Sequence, residues 1–229
     1  MWVDAVLFDM DGTLVGSDAA VARTWAAWGR EYGVSPAALD AVEHGVPSDV
    51  TVRLLRPDLD GPAHAAAVAR MLDLECADLD DVHALPGAHE LLAALDAAGV
   101  PWAVVTSAER RLAVARLTAA GIAAPVLVAR DDIVRGKPDP EGYLAGAAAL
   151  GVDPRRCLVV EDAEAGLAAG RAAGARTAAL RGLDGDLRPA DLHELAGLLG
   201  LGAAQPGSSR TITTSPSEPA GSSRNPVRR

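Results

Sequence analysis

Five short apolar runs alternate with helix-like stretches along most of this chain. The runs are Val3 to Phe8, Trp102 to Val105, Val126 to Ala129, Cys157 to Val160 and Ala175 to Leu180. The helix-like stretches are Gly87 to Ala98, Ala108 to Ala120, Pro140 to Leu150 and Ala163 to Ala173. This alternation predicts an α/β fold, in which right-handed crossovers join parallel strands and helices cover both faces of the sheet.

One region interrupts the alternation. From residue 16 to residue 85 the sequence has helix-like segments and no convincing strand, which indicates an inserted all-helical domain. Trp25 and Trp28 recur at helical spacing, so we expect them to pack in its core. Ser48 is a candidate N-cap for the helix that contains Leu54 and Leu55.

The predicted organisation has three parts. Residues 1–15 and 86–202 form the Rossmann-like core, residues 16–85 form the helical cap, and residues 203–229 form a tail. The tail is rich in Ser, Pro and Gly and has almost no apolar residues to bury, so we expect it to be disordered.

Composition excludes several classes of partner. The formal net charge is −10, and an acidic body of this kind repels the phosphate backbone of nucleic acids. No apolar stretch approaches the roughly 18 residues of a membrane span. The two cysteines, Cys76 and Cys157, are too few to stabilise a chain of 229 residues by disulfides. We expect a soluble, cytoplasmic protein.

Two carboxylates end the first apolar run, at Asp9 and Asp11. Residues i and i+2 of an extended segment face the same way, and ligands gather beyond the carboxyl ends of parallel strands. A strand followed by an Asp-Gly turn is the simplest alternative. A calcium loop requires glycine at its sixth position, whereas Gly12 is at the fourth position when Asp9 is counted as the first. The pattern favours a site for phosphate and magnesium.

Polar residues also follow three other apolar runs. These sites are Thr106-Ser107, Lys137 and Glu161-Asp162. Parallel strands end at one edge of a sheet, so a hydroxyl, an ammonium group and further carboxylates would face Asp9 and Asp11. Lys137 is the only lysine in the chain. Taken separately, Thr106-Ser107 could be a helix N-cap and the segment around Lys137 a helix start; together they indicate phosphoryl transfer.

In order along the chain, these motifs match the four signature motifs of the haloacid dehalogenase-like hydrolase superfamily. The resemblance covers roughly residues 3 to 182, and the insert is similar to the type 1 cap of that superfamily. A closer resemblance, to sugar-phosphate and glycerol-phosphate phosphatases, is carried by Trp25-Ala26-Ala27-Trp28, His44-Gly45, Pro101 to Ser107 and Gly136-Lys137-Pro138.

The resemblance implies a monomeric protein whose partner is a small phosphorylated molecule, and it implies a role for each motif residue. Asp9 would attack phosphorus and form an aspartyl-phosphate, and Asp11 would be the general acid and base. Lys137 would balance charge on Asp9, while Thr106 and Ser107 would bind the phosphoryl group. Magnesium would lie among carboxylate and carbonyl oxygens of Asp9, Asp11, Asp162 and Glu161. His44 and Gly45 belong to a candidate specificity loop, whose sequence is equally typical of a glycine stop followed by a helix start.

Individual residues discriminate among the alternatives within the superfamily. Asp11 favours phosphate over halide chemistry, and the absence of lysine between residues 16 and 85 excludes a phosphonatase that forms a Schiff base. A hexose-phosphate mutase stays the main alternative, with Arg53 as a candidate cation in the cap. A catalytically silent binding protein of the same fold is a third possibility. Gly16 replaces the acidic residue that usually follows the first motif.

Overall fold

The computed structural model describes residues 3–41 and 46–201. Its strands are β1 Ala5–Phe8, β2 Val15–Gly16, β3 His83–Ala84, β4 Trp102–Val105, β5 Leu127–Val128, β6 Cys157–Glu161 and β7 Arg176–Ala179. Its α-helices are α1 Asp18–Tyr32, α2 Pro36–Asp40, α3 Ser48–Leu55, α4 Gly61–Ala77, α5 Ala88–Ala97, α6 Arg110–Ala119, α7 Glu141–Leu150, α8 Glu164–Ala172 and α9 Leu192–Leu198. Single 3-10 turns occupy Arg130–Asp132 and Pro154–Arg156.

The core is a five-stranded parallel sheet in the order β5-β4-β1-β6-β7, with the first strand at its centre. Alternate residues of the fully buried strands β1 and β6 face opposite sides of the sheet. Leu7 and Val159 belong to an apolar cluster that includes Tyr143 of α7. Phe8 and Val160 belong to the cluster on the other face, formed with α5, α6 and α9. The predicted parallel sheet with helices on both faces is confirmed.

The helical insert differs from the sequence prediction in two respects. A short strand, His83–Ala84, lies within residues 16–85 and pairs antiparallel with Val15–Gly16. Two residues are too few to produce a recognisable alternation in the sequence. Ser48 is the first residue of α3 and does not cap it, because Pro47 occupies the N-cap position.

Helices α1, α3 and α4 pack around their own apolar cluster, which contains the fully buried Trp28. The Trp28 indole donates a hydrogen bond to the Ala67 carbonyl at 2.9 Å and stacks on Tyr32, with the ring centroids 4.6 Å apart. Trp25 meets Trp28 edge to face. Both tryptophans therefore have the packing role predicted for them. Within residues 3–41 and 46–201, no helix combines the length and hydrophobicity needed to cross a bilayer.

Candidate active site

The register of the central strands brings three carboxylates together. Phe8 lies beside Val160 in the sheet, so the residues that follow, Asp9 and Glu161, are neighbours at its carboxyl edge. With Asp162 they form a group whose carboxylate oxygens lie within 4.8 Å of one another. Asp9 and Glu161 are buried, and Asp162 is partly exposed. The arrangement concentrates negative charge at the end of β1.

Lys137 supplies the compensating positive charge. Its Nζ donates to Asp9 Oδ1 and, at 2.6 Å, to Glu161 Oε1. The lysine side chain is 10% exposed, and its ammonium lies 5.2 Å from the ring centroid of Tyr143. The only lysine in the sequence therefore connects the carboxylates at the ends of two adjacent strands.

Glu161 is held by four donors. Its Oε1 accepts from Lys137 and, at 2.7 Å, from the Tyr143 hydroxyl. Its Oε2 accepts from the backbone N–H groups of Asp162 at 3.1 Å and Ala163 at 3.2 Å. A Cβ at Gly166, on α8, would lie 1.6 Å from Oε1, so only glycine leaves room for this carboxylate. The side chain is 1% exposed and fixed on every side.

Burial and mutual repulsion perturb these ionisable groups. Burial raises the pKa of Asp9 well above its ordinary value, and the charges of Glu161 and Asp162 add to the effect of burial against the opposing charge of Lys137. Burial, assisted by Glu161, raises the pKa of Asp162 to about 6, although Arg181 and Lys137 oppose the shift. Burial alone lowers the pKa of Lys137, but Asp9 and Glu161 outweigh it and the net shift is upward.

The chemistry of the donor atoms and the raised pKa values of the carboxyl groups indicate whether a magnesium ion fits the site. The donors are hard carboxylate oxygens, the type that a small hard cation prefers. Burial and the neighbouring carboxylates raise the pKa values of Asp9 and Asp162, so these two groups favour protonation until another positive charge is supplied. A divalent cation supplies that charge, so the residues present fit the ion.

Asp162 is also bound by residues outside this group. Arg181 Nε lies 3.1 Å from Asp162 Oδ2, and the Thr13 hydroxyl lies 3.4 Å from Oδ1. Gly12 has φ +80°, and a Cβ there would lie 2.0 Å from Asp162 Oδ2. The glycine of the first motif therefore both turns the chain and lets Asp162 approach it closely.

Asp11 has different partners. Its Oδ1 accepts from the Ser17 hydroxyl at 2.7 Å, and its Oδ2 accepts from Arg116 at 2.8 Å. Its carboxylate is not part of the acidic group at Asp9. The two acidic residues of the first motif thus occupy distinct environments, one beside Lys137 and the other beside Arg116.

The predicted phosphate-binding residues line one pocket. Thr106, Ser107 and Lys137 contribute to its wall, together with Arg130 and Tyr143. The Thr106 hydroxyl accepts from the backbone N–H of Ala108 at 3.1 Å.

The N-cap alternative does not describe Thr106-Ser107, whereas the segment from Gly136 to Pro140 does lead directly into a helix. The N-cap of α6 is Glu109, and α7 begins at Glu141 after Pro140. His44 and Gly45 lie outside the described residues.

Four side chains that bind the carboxylates of the site were not identified from the sequence: the cations Arg116 and Arg181 and the hydroxyl groups of Ser17 and Tyr143. Tyr143 lies in a helical sequence of mostly small apolar residues, and such a sequence predicts an aromatic side chain that packs in the core rather than one that binds a carboxylate. Arg116 is on the buried face of α6, and a buried arginine at a helical core position is the one signal that could have identified it.

Comparison with known proteins identifies the family. A family profile described as haloacid dehalogenase-like hydrolase matches residues 3–174. The chain is a haloacid dehalogenase-like hydrolase. It is 43% identical over 175 residues to hexitol phosphatase A of Escherichia coli (strain K12), a match that covers 76% of this chain and 81% of that protein. It is 34% identical to 2-deoxyglucose-6-phosphate phosphatase 1 of Saccharomyces cerevisiae, over 76% of this chain and 78% of that one.

Solved structures give the same result for the fold. The crystal structure of β-phosphoglucomutase from Clostridium difficile superposes with a TM-score of 0.77 over 87% of this hydrolase and 96% of that chain. Its 17% identity makes this likeness one of fold alone. The family match and the named relatives confirm the predicted family and the predicted enzyme class, a phosphatase.

Proposed function

We propose that this hydrolase is a magnesium-dependent phosphatase of a small sugar or polyol phosphate, acting through an aspartyl-phosphate. The observation that carries the proposal is the pairing of Asp9 with Lys137 at the acidic edge of the sheet. A nucleophilic carboxylate beside a fixed cation is suited to attack on an anionic phosphate. Relatives named as phosphatases of a hexitol and of 2-deoxyglucose 6-phosphate support the substrate class.

In the proposed first step an Asp9 carboxylate oxygen forms a bond to phosphorus, and the bond from phosphorus to the sugar oxygen breaks. Asp11 gives its proton to the departing oxygen. In the second step water attacks phosphorus, Asp11 takes up the proton, and the bond to Asp9 breaks. General acid–base catalysis contributes about 10² to 10⁴ in rate, and the covalent intermediate divides one difficult displacement into two easier ones.

Asp9 and Asp162 would hold the magnesium ion, with the Asp11 carbonyl as the predicted third ligand. When bound, the ion supplies positive charge that favours ionised carboxylates and stabilises the transferring phosphoryl group. Glu161 already accepts four hydrogen bonds. We infer that Glu161 contributes negative charge to the metal site and positions Lys137, without a direct bond to the ion.

The remaining assignments extend the same proposal. Thr106, Ser107 and Lys137 would bind phosphate oxygens. His44 and Gly45, on the predicted specificity loop, would contact the sugar. The catalytic core would comprise residues 1–15 and 86–202, and residues 16–85 would form the cap over the pocket.

A panel of phosphate monoesters tests the proposal. With magnesium, the wild-type protein should release phosphate from hexitol or hexose phosphates, and Asp9→Asn should abolish release. Asp4→Asn is the matched control, because Asp4 is an exposed carboxylate that pairs with Arg156 near the opposite end of β1. Phosphate release that survives Asp9→Asn contradicts the covalent mechanism.

The mutase alternative gains no support from the described part of the chain. Arg53, its candidate cation, donates to the Leu59 carbonyl at 3.1 Å within the insert. The same panel distinguishes the two activities, since a mutase interconverts glucose 1-phosphate and glucose 6-phosphate without net release of phosphate. A protein that binds these esters and converts none would be the catalytically silent alternative.

A further inference from the structure

A buried ion-pair triad connects the general acid of the proposed mechanism to the helical insert. Arg116 of α6 lies between two carboxylates, 2.8 Å from Asp11 Oδ2 and 3.0 Å from Glu75 Oε1. Glu75 belongs to α4, which is part of the insert. The side chains of Arg116 and Glu75 are only 5% and 6% exposed. The cation is therefore enclosed by protein where the two helices meet.

The triad contributes more to orientation than to net stability. Removing an arginine and a carboxylate from water is expensive, and buried ion pairs often add little to stability when compared with apolar side chains. Arg116 Nε is also buried with no hydrogen-bond partner among residues 3–41 and 46–201. The two nitrogens that do bond each meet a carboxylate oxygen, and this fixes the guanidinium plane between Asp11 and Glu75.

Asp11 is positioned at both of its oxygens. Ser17, at the start of α1, donates to one oxygen, and Arg116 donates to the other. A carboxylate with one fixed donor can still rotate about its side-chain bonds, whereas two fixed donors on different elements hold it in one orientation. Proton transfer depends on such orientation, since a displacement of 1 Å can cost about 10²-fold in rate.

We propose that Arg116 is a positioning residue for Asp11, and that Glu75 anchors Arg116 so that the insert takes part in orienting the general acid. The inference rests on the proposed function, because it assigns Asp11 the acid role. Arg116 acts through Asp11 and does not touch the substrate.

Two substrates that differ in their leaving group separate this role from a structural one. An alkyl phosphate such as a hexitol phosphate needs a proton on its leaving oxygen, whereas p-nitrophenyl phosphate does not. We expect Arg116→Gln to lower kcat/KM about 10²-fold for the alkyl ester and less than tenfold for the aryl ester. Arg116→Lys should restore part of the alkyl activity, since lysine supplies the charge without the two-pronged geometry.

The double variant Arg116→Gln with Asp11→Asn supplies the decisive comparison. If Arg116 acts through Asp11, adding Arg116→Gln to Asp11→Asn changes kcat/KM of the alkyl ester little. Glu75→Gln should show the same preference for the aryl ester to a smaller degree. Arg111→Gln is the matched control, because Arg111 also joins α6 to α4, through an exposed pair with Asp73 at 2.7 Å.

Equal losses for both esters, or losses that add to those of Asp11→Asn, overturn the proposal. Since removing Arg116 could destabilise the fold, the charge-neutral pair Arg116→Gln with Glu75→Gln is measured as well, and it should keep the preference for the aryl ester. Crystal structures of wild type and Arg116→Gln give a reading independent of activity. An Asp11 carboxylate that stays in place without Arg116 contradicts the inference even if the wild-type protein hydrolyses neither ester.

Discussion

Gly166 offers a test of how Glu161 is held in the site. Gly166→Ala places a Cβ 1.6 Å from Glu161 Oε1 and 1.9 Å from its Cδ, so the carboxylate must move. It then loses donors from Lys137, Tyr143 and two backbone N–H groups. Breaking a buried charge pair costs about 3–5 kcal/mol, whereas replacing glycine by alanine in a helix stabilises it by about 1 kcal/mol. We expect a net loss of about 3 kcal/mol in the free energy of unfolding.

Urea denaturation followed by tryptophan fluorescence measures this loss, and phosphate release measures the accompanying fall in kcat. Gly197→Ala is the control, since it also lies in a helix but its added Cβ meets nothing within 4 Å. That variant should be as stable as wild type or more so. In a Glu161→Ala background, Gly166→Ala should cost almost nothing. Wild-type stability and kcat in the single Gly166→Ala variant would refute the reasoning.

Three further outcomes follow from the same contacts. The pKa values of the two proposed ligands Asp9 and Asp162 are raised, that of Asp162 to about 6, so magnesium must displace protons at lower pH and its calorimetric affinity should fall at least about tenfold per pH unit below 6; a flat profile contradicts this. Tyr143→Phe removes one donor to Glu161 and should lower the urea-measured free energy of unfolding by about 2 kcal/mol. An unchanged free energy of unfolding would contradict a stabilising role for that hydrogen bond. Trp28→Ala should cost about 3–5 kcal/mol in the same assay, and a loss below 1 kcal/mol would exclude a packed role.

The placement of the acidic residues was predictable because it depends on backbone topology. Asp9 and Glu161 each end a strand, and in a parallel sheet those ends share an edge. Strands that are buried on both faces are continuous apolar runs in the sequence, and these runs predict the order of the elements. The position of Asp9, Lys137 and Glu161 after such runs predicts that they cluster. The monomeric state and cytoplasmic location stay predictions.

The partners of these residues depend on tertiary packing that no local pattern encodes. Arg116 reaches Asp11 across 105 positions of sequence, and Tyr143 reaches Glu161 across 18. The β2–β3 pairing involves two residues on each strand, which is below the length at which alternation can be recognised. The predicted N-cap, Ser48, is wrong by one position, because Pro47 is the extended residue before the helix and Ser48 is its first helical residue.

Trapping the covalent intermediate tests the central claim most directly. Asp11→Asn is mixed with magnesium and p-nitrophenyl phosphate, quenched in acid, digested and analysed by mass spectrometry. The leaving group needs no general acid, whereas hydrolysis of the intermediate needs Asp11 as base, so the phosphoenzyme should accumulate. The account predicts one phosphoryl group on Asp9, removable by hydroxylamine. Release of p-nitrophenol without a phosphorylated peptide, or a phosphoryl group on another residue, would contradict it.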